Sequence, residues 1–304
     1  MKHIFWNEAE ERLRAGWRIT LFLLALVGIG MGLLNLLEVI LGGRPAPGVK
    51  RELAMVGSLA IAATALLPLG RKYLDKRSTV SLGLRFDGTA VKDLVFGWLL
   101  SGAMAGSFLL LLMLFGNARV EGVASASVLI APLLLSFFLY VLVGWWEELF
   151  FRGYLFDNLK AGLGLTVAIA VSCVLYGVVH AANPNATILS TVIIVVFGFL
   201  RLFGLISTRQ LWLSMGMHMG WNFFQGSVFG FAASGQGDFK LLTLALDGPA
   251  WLTGGSFGPE GSVLILPILG LSMLVMAWWA KRTRPEEAQG ISAVFQQKAE
   301  PVAA

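Results

Sequence analysis

Polar residues along this 304-residue chain are gathered into short stretches between long apolar ones. About twenty mostly apolar residues cross a bilayer core as a helix. Read against that length, the chain shows eight runs, at 19–41, 53–69, 93–115, 128–158, 163–181, 186–204, 210–231 and 262–280. The pattern predicts an all-α polytopic membrane bundle of about eight transmembrane helices. The fourth run is too long for one simple crossing and carries charges. The first, from Ile19 to Leu41, exceeds the usual ~7–15-residue core of a signal peptide. It leads into Gly42-Gly43-Arg44-Pro45 and no small-x-small cleavage site, so it reads as a retained helix.

Composition points the same way. The chain is 57% hydrophobic and 13% charged, against roughly 25% charged in a soluble domain, and its mean hydropathy is +0.76. The net charge of +5 does not indicate nucleic acid, because the basic residues sit between apolar runs and not on one polar segment. Eight crossings put both termini on one side. Of 23 Lys and Arg, Arg152 lies inside run four; Arg44, Lys50, Arg51, Arg119 and Lys240 fall on the far side and the other 17 on the side of the termini. That asymmetry predicts cytoplasmic termini in a cell membrane, in the style of a bacterial inner membrane. The expected organisation is a cytoplasmic segment 1–18, a bundle 19–281 with its core at about 128–231, and a flexible cytoplasmic tail 282–304. Phe239 to Leu246 is apolar enough either to lie on the membrane surface or to form a short strand. The single cysteine, Cys173, reads as a small buried hydrophobe.

Ionisable groups inside a span cost about 2.5–3.5 kcal/mol each on insertion scales, so each needs a reason. Three places stand out: Glu147-Glu148 with Arg152 in run four, Tyr176 with His180 in run five, and His218 with Asn222 in run seven. Glu148 and Arg152 are i,i+4 neighbours in the better order for pairing. Glu147 points about 100° away from them, which suggests one carboxylate held by arginine and one left free for chemistry. His218 and Asn222 share a helix face by the same spacing. Counted along the helices, Glu147, His180, His218 and Asn222 fall in one broad layer of the bilayer. Small residues at Gly216, Gly220 and Gly226 would let neighbouring helices approach run seven closely. Taken singly, each feature has a plain structural explanation: a solvated helix end, or a histidine bonding its neighbour. Trp145, Trp146, Trp212, Trp278 and Trp279 read as interface anchors.

The set resembles the three motifs of the CAAX-processing and bacteriocin-processing (Abi) family of intramembrane endopeptidases: E-E-x-x-x-R, F-x-x-x-H and H-x-x-x-N or D on successive helices. Glu147 through Arg152 and His218 through Asn222 match fully. Tyr176 stands where phenylalanine is usual, with His180 intact, and its added hydroxyl needs a partner. The resemblance implies a glutamate- or metal-dependent protease acting on a membrane-embedded or lipidated peptide. It implies catalytic roles for Glu147, Glu148, Arg152, His180, His218 and Asn222. Glu147 would be the general base, His180 would orient or deprotonate the water, and His218 with Asn222 would meet the oxyanion. Glu148 and Arg152 would hold the geometry, and Arg152 could also meet a substrate carboxylate. A metal version would place zinc on Glu147, His180 and His218, although no H-E-x-x-H motif supports it. Two other classes fit buried acids and histidines: a proton-coupled transporter, and a non-catalytic immunity or scaffold protein that retains the site.

Overall fold

The computed structural model describes residues 2–237 and 239–286; most of the tail expected over 282–304 lies outside the described residues. Each apolar run becomes a helix, because hydrocarbon offers backbone N–H and C=O groups no partner outside their own segment. The helices are α1 Ala15–Ile40, α2 Val49–Leu69, α3 Ala90–Leu114, α4 Ala126–Glu147, α5 Phe156–Leu163, α6 Leu165–His180, α7 Ile188–Thr208, α8 Trp212–Asn222 and α9 Ile265–Thr283. A π-helical stretch, Glu148–Leu155, joins α4 to α5 without a break, and another, Phe223–Val228, extends α8. Among the described residues, six helical segments are long and apolar enough to cross a membrane; α6 is apolar but shorter. The long fourth run is thus one continuous helix that changes its winding at Glu148.

Local chemistry sets the joints. Gly164, at φ 77°, breaks α5 from α6 in a conformation that disfavours any side chain. Thr187 and Ser190 form a capping box at the start of α7. Asp87 Oδ1 accepts from the Thr89 and Ala90 amides at the start of α3, at 2.9 and 3.2 Å.

The buried centre is α8, every residue of which from Leu213 to Asn222 is enclosed. A Cβ built on Gly216 would lie 2.0 Å from the Leu94 carbonyl oxygen of α3, and one on Gly220 2.7 Å from that of Trp98. In return, a Cβ built on Gly97 of α3 would lie 2.5 Å from the Leu213 carbonyl oxygen. Backbone therefore packs on backbone here, as small residues permit between membrane helices. Ser101 Oγ donates to Met217 O at 2.7 Å across the same interface. On the other flank, Gly144 of α4 faces Met219.

Two features outside the helices position the ends. The segment Leu242–Leu246 is a strand, β2, paired antiparallel with β1, Ala118–Val123, which settles the alternative left by its sequence. At the opposite end, Asp75 binds three arginines. Its Oδ1 accepts from Arg18 (2.8 Å), its Oδ2 from Arg71 (2.7 Å) and its carbonyl from Arg12. Arg71 also reaches Asp157 of α5 at 2.8 Å. Arg18 and Arg71, expected in cytoplasmic loops, are thus buried ion-pair partners of a carboxylate. The tryptophans expected as anchors divide: Trp278 is exposed, whereas Trp279 donates to Asp93 and Trp145 to Thr64.

Candidate active site

Glu147 ends α4 and Glu148 opens the π stretch, so the two carboxylates leave the helix on different sides. Glu148 is fully buried, and Arg152 nearly so, with Nη1 3.2 Å from Glu148 Oε1. The pair is the one expected from i,i+4 spacing, but it forms on a widened turn, a form often found at functional sites. The Arg152 guanidinium lies 4.0 Å from the centre of the Tyr176 ring, a cation–π contact that a dry setting strengthens. Arg152 is not among the residues lining the cavity described below.

Glu148 Oε1 also meets His218 Nδ1 at 2.8 Å. A carboxylate only accepts, so this bond assigns the proton to Nδ1 and turns Nε2 toward Glu147. Glu147 Oε2 is 3.8 Å from that Nε2, too far for a direct hydrogen bond and close enough for one water to contact both. His180 Nδ1 bonds the Tyr176 carbonyl at 2.8 Å, which likewise leaves Nε2 as the acceptor. The Tyr176 hydroxyl finds two partners: it donates to Glu147 Oε2 at 3.1 Å and accepts from Arg201 Nη1 at 2.5 Å.

Glu147, His180, His218 and Asn222 all line one cavity of about 250 Å³. One wall is apolar, from Met55, Val56 and Leu59 of α2 and Leu139 and Val143 of α4; the other is polar, with Asn183, Arg201 and Ser234. A helix hairpin and the central helix thus bring the singled-out groups to one place, with Glu148 and Arg152 packed behind it.

Two residues of this region were not singled out from the sequence. Arg201, counted there among the cytoplasmic loop arginines, is buried in α7 and bonded to Tyr176. A lone arginine inside an apolar run was the available signal. Glu260 is buried within the glycine-rich loop that leads from α8 to α9, where its Oε1 accepts from Trp221 Nε1 at 2.9 Å and its Oε2 from Ser234 Oγ at 2.5 Å. Gly258, at φ 95°, lets that loop approach the Ala232 carbonyl, where a Cβ would stand 2.0 Å away.

A zinc site needs three or four nitrogen or oxygen ligands about 2 Å from one point. Glu147 and His218 could supply two, but among the described residues no three His, Cys, Asp or Glu side chains converge on such a point. The Glu147, His180 and His218 set does not fit a metal in this arrangement.

Residues 129–224, about a third of the chain, match the family described as Rce1-like, type II CAAX prenyl endopeptidase. The matched stretch runs from α4 to just past Asn222 and contains all three motifs and every cavity residue on α4, α6, α7 and α8. It aligns the chain with membrane proteases of CAAX type in general. No curated protein matches the chain.

Proposed function

We propose that this chain is an intramembrane endopeptidase that hydrolyses a peptide bond of a membrane-associated, lipidated protein or peptide, with a water activated by Glu147. The observation that carries the reading is the 3.8 Å gap between Glu147 Oε2 and His218 Nε2, inside a cavity shared with His180 and Asn222. One water fits that gap, giving a proton to Glu147 and a second hydrogen bond to His218 Nε2. Glu148 fixes the imidazole so that Nε2 is the acceptor, much as a carboxylate orients a catalytic histidine elsewhere.

As Glu147 takes the proton, the water oxygen bonds to the peptide carbon and the carbonyl oxygen becomes an oxyanion. Asn222, with an amide N–H to donate, is the residue to meet it. With the His218 Nδ1 proton given to Glu148, the neutral ring serves the water and not the oxyanion. His180 offers a second acceptor on the same wall. Glu147 then returns its proton to the departing nitrogen, the C–N bond breaks, and an acid and an amine leave. The apolar wall between α2 and α4 suits the lipid or side chains of a membrane-borne substrate.

Glu147→Gln tests the reading. It keeps shape and polarity and removes the base. The expected result is normal membrane abundance and a loss of cleavage of about 10²–10⁴-fold. Comparative proteomics of membrane peptides, wild type against variant, then identifies the uncleaved substrate by its accumulation. Cleavage at the wild-type rate by Glu147→Gln would remove Glu147 from the chemistry.

A further inference from the structure

Each of the two adjacent glutamates has its own arginine, but in different ways. Glu148 is paired directly with Arg152. Glu147 reaches Arg201 only through the Tyr176 hydroxyl, which accepts from the guanidinium and donates to the carboxylate. Tyr176 touches the site at three further points. Its carbonyl holds His180 Nδ1, its ring carries Arg152, and the same ring stands edge-on to His218 with centroids 6.4 Å apart.

We propose that Tyr176 and Arg201 form a tether that orients the Glu147 carboxylate, with the phenol relaying the arginine's pull without letting it close an ion pair. The inference rests on Glu147 being the base of the proposed protease. A guanidinium in direct contact would hold the carboxylate in a strong, often bidentate pair and compete for the proton-accepting oxygen. Through a phenol, the arginine polarises the O–H that fixes the carboxylate, since chained hydrogen bonds strengthen one another. A single phenol bond occupies one lone pair of Oε2 and leaves the other for the water that lies between it and His218 Nε2. Tyr176 and Arg201 are positioning residues; neither needs to touch the reacting atoms.

A buried phenol that is merely satisfied would look similar, and Tyr176→Phe separates the two. Phenylalanine keeps the ring over Arg152 and the carbonyl under His180 and deletes one oxygen. On the peptide that accumulates with Glu147→Gln, a tether predicts a kcat lower by about 10- to 100-fold, the worth of a hydrogen bond to a charged group, with KM within about twofold. Arg201→Lys is expected to lower kcat as well, and adding it to Tyr176→Phe to cost nothing more. A second readout needs no substrate: thermal unfolding in lipid nanodiscs of Tyr176→Phe, Glu147→Ala and the double variant. The tether predicts that Tyr176→Phe lowers Tm in the wild-type background and not in Glu147→Ala. Should Glu147→Ala fail to fold, Arg201→Lys takes its place in that cycle. Additive Tm changes, or a Tyr176→Phe enzyme with wild-type kcat, overturns the tether. Coupled Tm changes in a wild-type protein that cleaves no peptide leave the tether standing and overturn the protease reading instead.

Discussion

Replacing Gly216 by alanine tests whether contact between backbones holds the site together. The new Cβ would stand 2.0 Å from the Leu94 carbonyl oxygen, about 1.4 Å short of the 3.4 Å at which ordinary contact begins. The obstacle is backbone, so no side-chain rotation relieves it. Sliding along the interface is opposed by Gly97 against Leu213 and by the Ser101–Met217 bond. α3 and α8 must therefore part, and an opening of 0.5–1 Å already forfeits about a quarter to a half of a dispersion contact. Overpacking costs about 1–3 kcal/mol, and an unyielding neighbour argues for the upper end, about 3 kcal/mol or a hundredfold in the folding equilibrium. Gly216 lies two residues before His218, so the 2.8 Å bond to Glu148 should lengthen as well. The control is Gly270→Ala in α9, where a Cβ meets nothing within 4 Å and alanine is the better helix former by up to about 1 kcal/mol. Thermal unfolding in lipid nanodiscs should place Gly216→Ala well below wild type and Gly270→Ala at or above it. If Gly216→Ala unfolds no earlier than Gly270→Ala, the close approach does not govern stability and the reasoning fails.

Glu148→Gln strips Arg152 of its counter-charge in a buried setting, at an expected cost of about 3–5 kcal/mol, visible as a fall in folded protein on size exclusion; Glu147→Gln should show no such fall. Asp75→Asn removes the charge shared by Arg18 and Arg71, and limited proteolysis should then cut within residues 2–18 at protease levels that leave wild type intact. The Asp87 carboxyl is held well below the usual range, first by the Thr89 hydroxyl and then by Arg85 and the Thr89 amide. Its folded-state pKa is depressed, so its stabilisation is present above the unfolded value near 3.9 and is lost as pH falls further toward the folded value. The difference in stability between wild type and Asp87→Ala, about 1 kcal/mol for a helix-start carboxylate, should therefore hold from pH 7 to about 5 and shrink below about 4 in pH-dependent unfolding.

What could be read in advance was local. Apolar runs of membrane length announce helices because lipid leaves the backbone no alternative, and Gly216 and Gly220 advertise close packing by lacking a side chain. Gly226 differs: it faces the Tyr140 hydroxyl and not a neighbouring backbone. The motif residues were legible because each costs energy in hydrocarbon and so attracts notice. Features that depend on pairing across long stretches of chain were not legible. Nothing near Arg201 in sequence indicates that it bonds a tyrosine 25 residues earlier, so at the edge of an apolar run it resembles a loop residue. Asp75 looks like one charge in a polar loop until Arg18 and Asn158 arrive beside it. The change of winding at Glu148 is hidden too, since i,i+4 spacing reads alike in an α or a π turn.

The Asp75 junction bears on what can be cut from this protein. It fastens the first helix and the end of α2 to Asn158, and through Arg71 to Asp157, on the same continuous helix that bears Glu147. α8, in turn, rests on a helix that begins at Ala90. The third of the chain that carries the motifs borrows its supports from residues before it. Expressed by itself, the fragment 129–224 would present orphaned charges and bare glycine faces to lipid. Any minimal folded version of this chain is expected to begin upstream of Arg12, whose guanidinium bonds the Asp75 carbonyl.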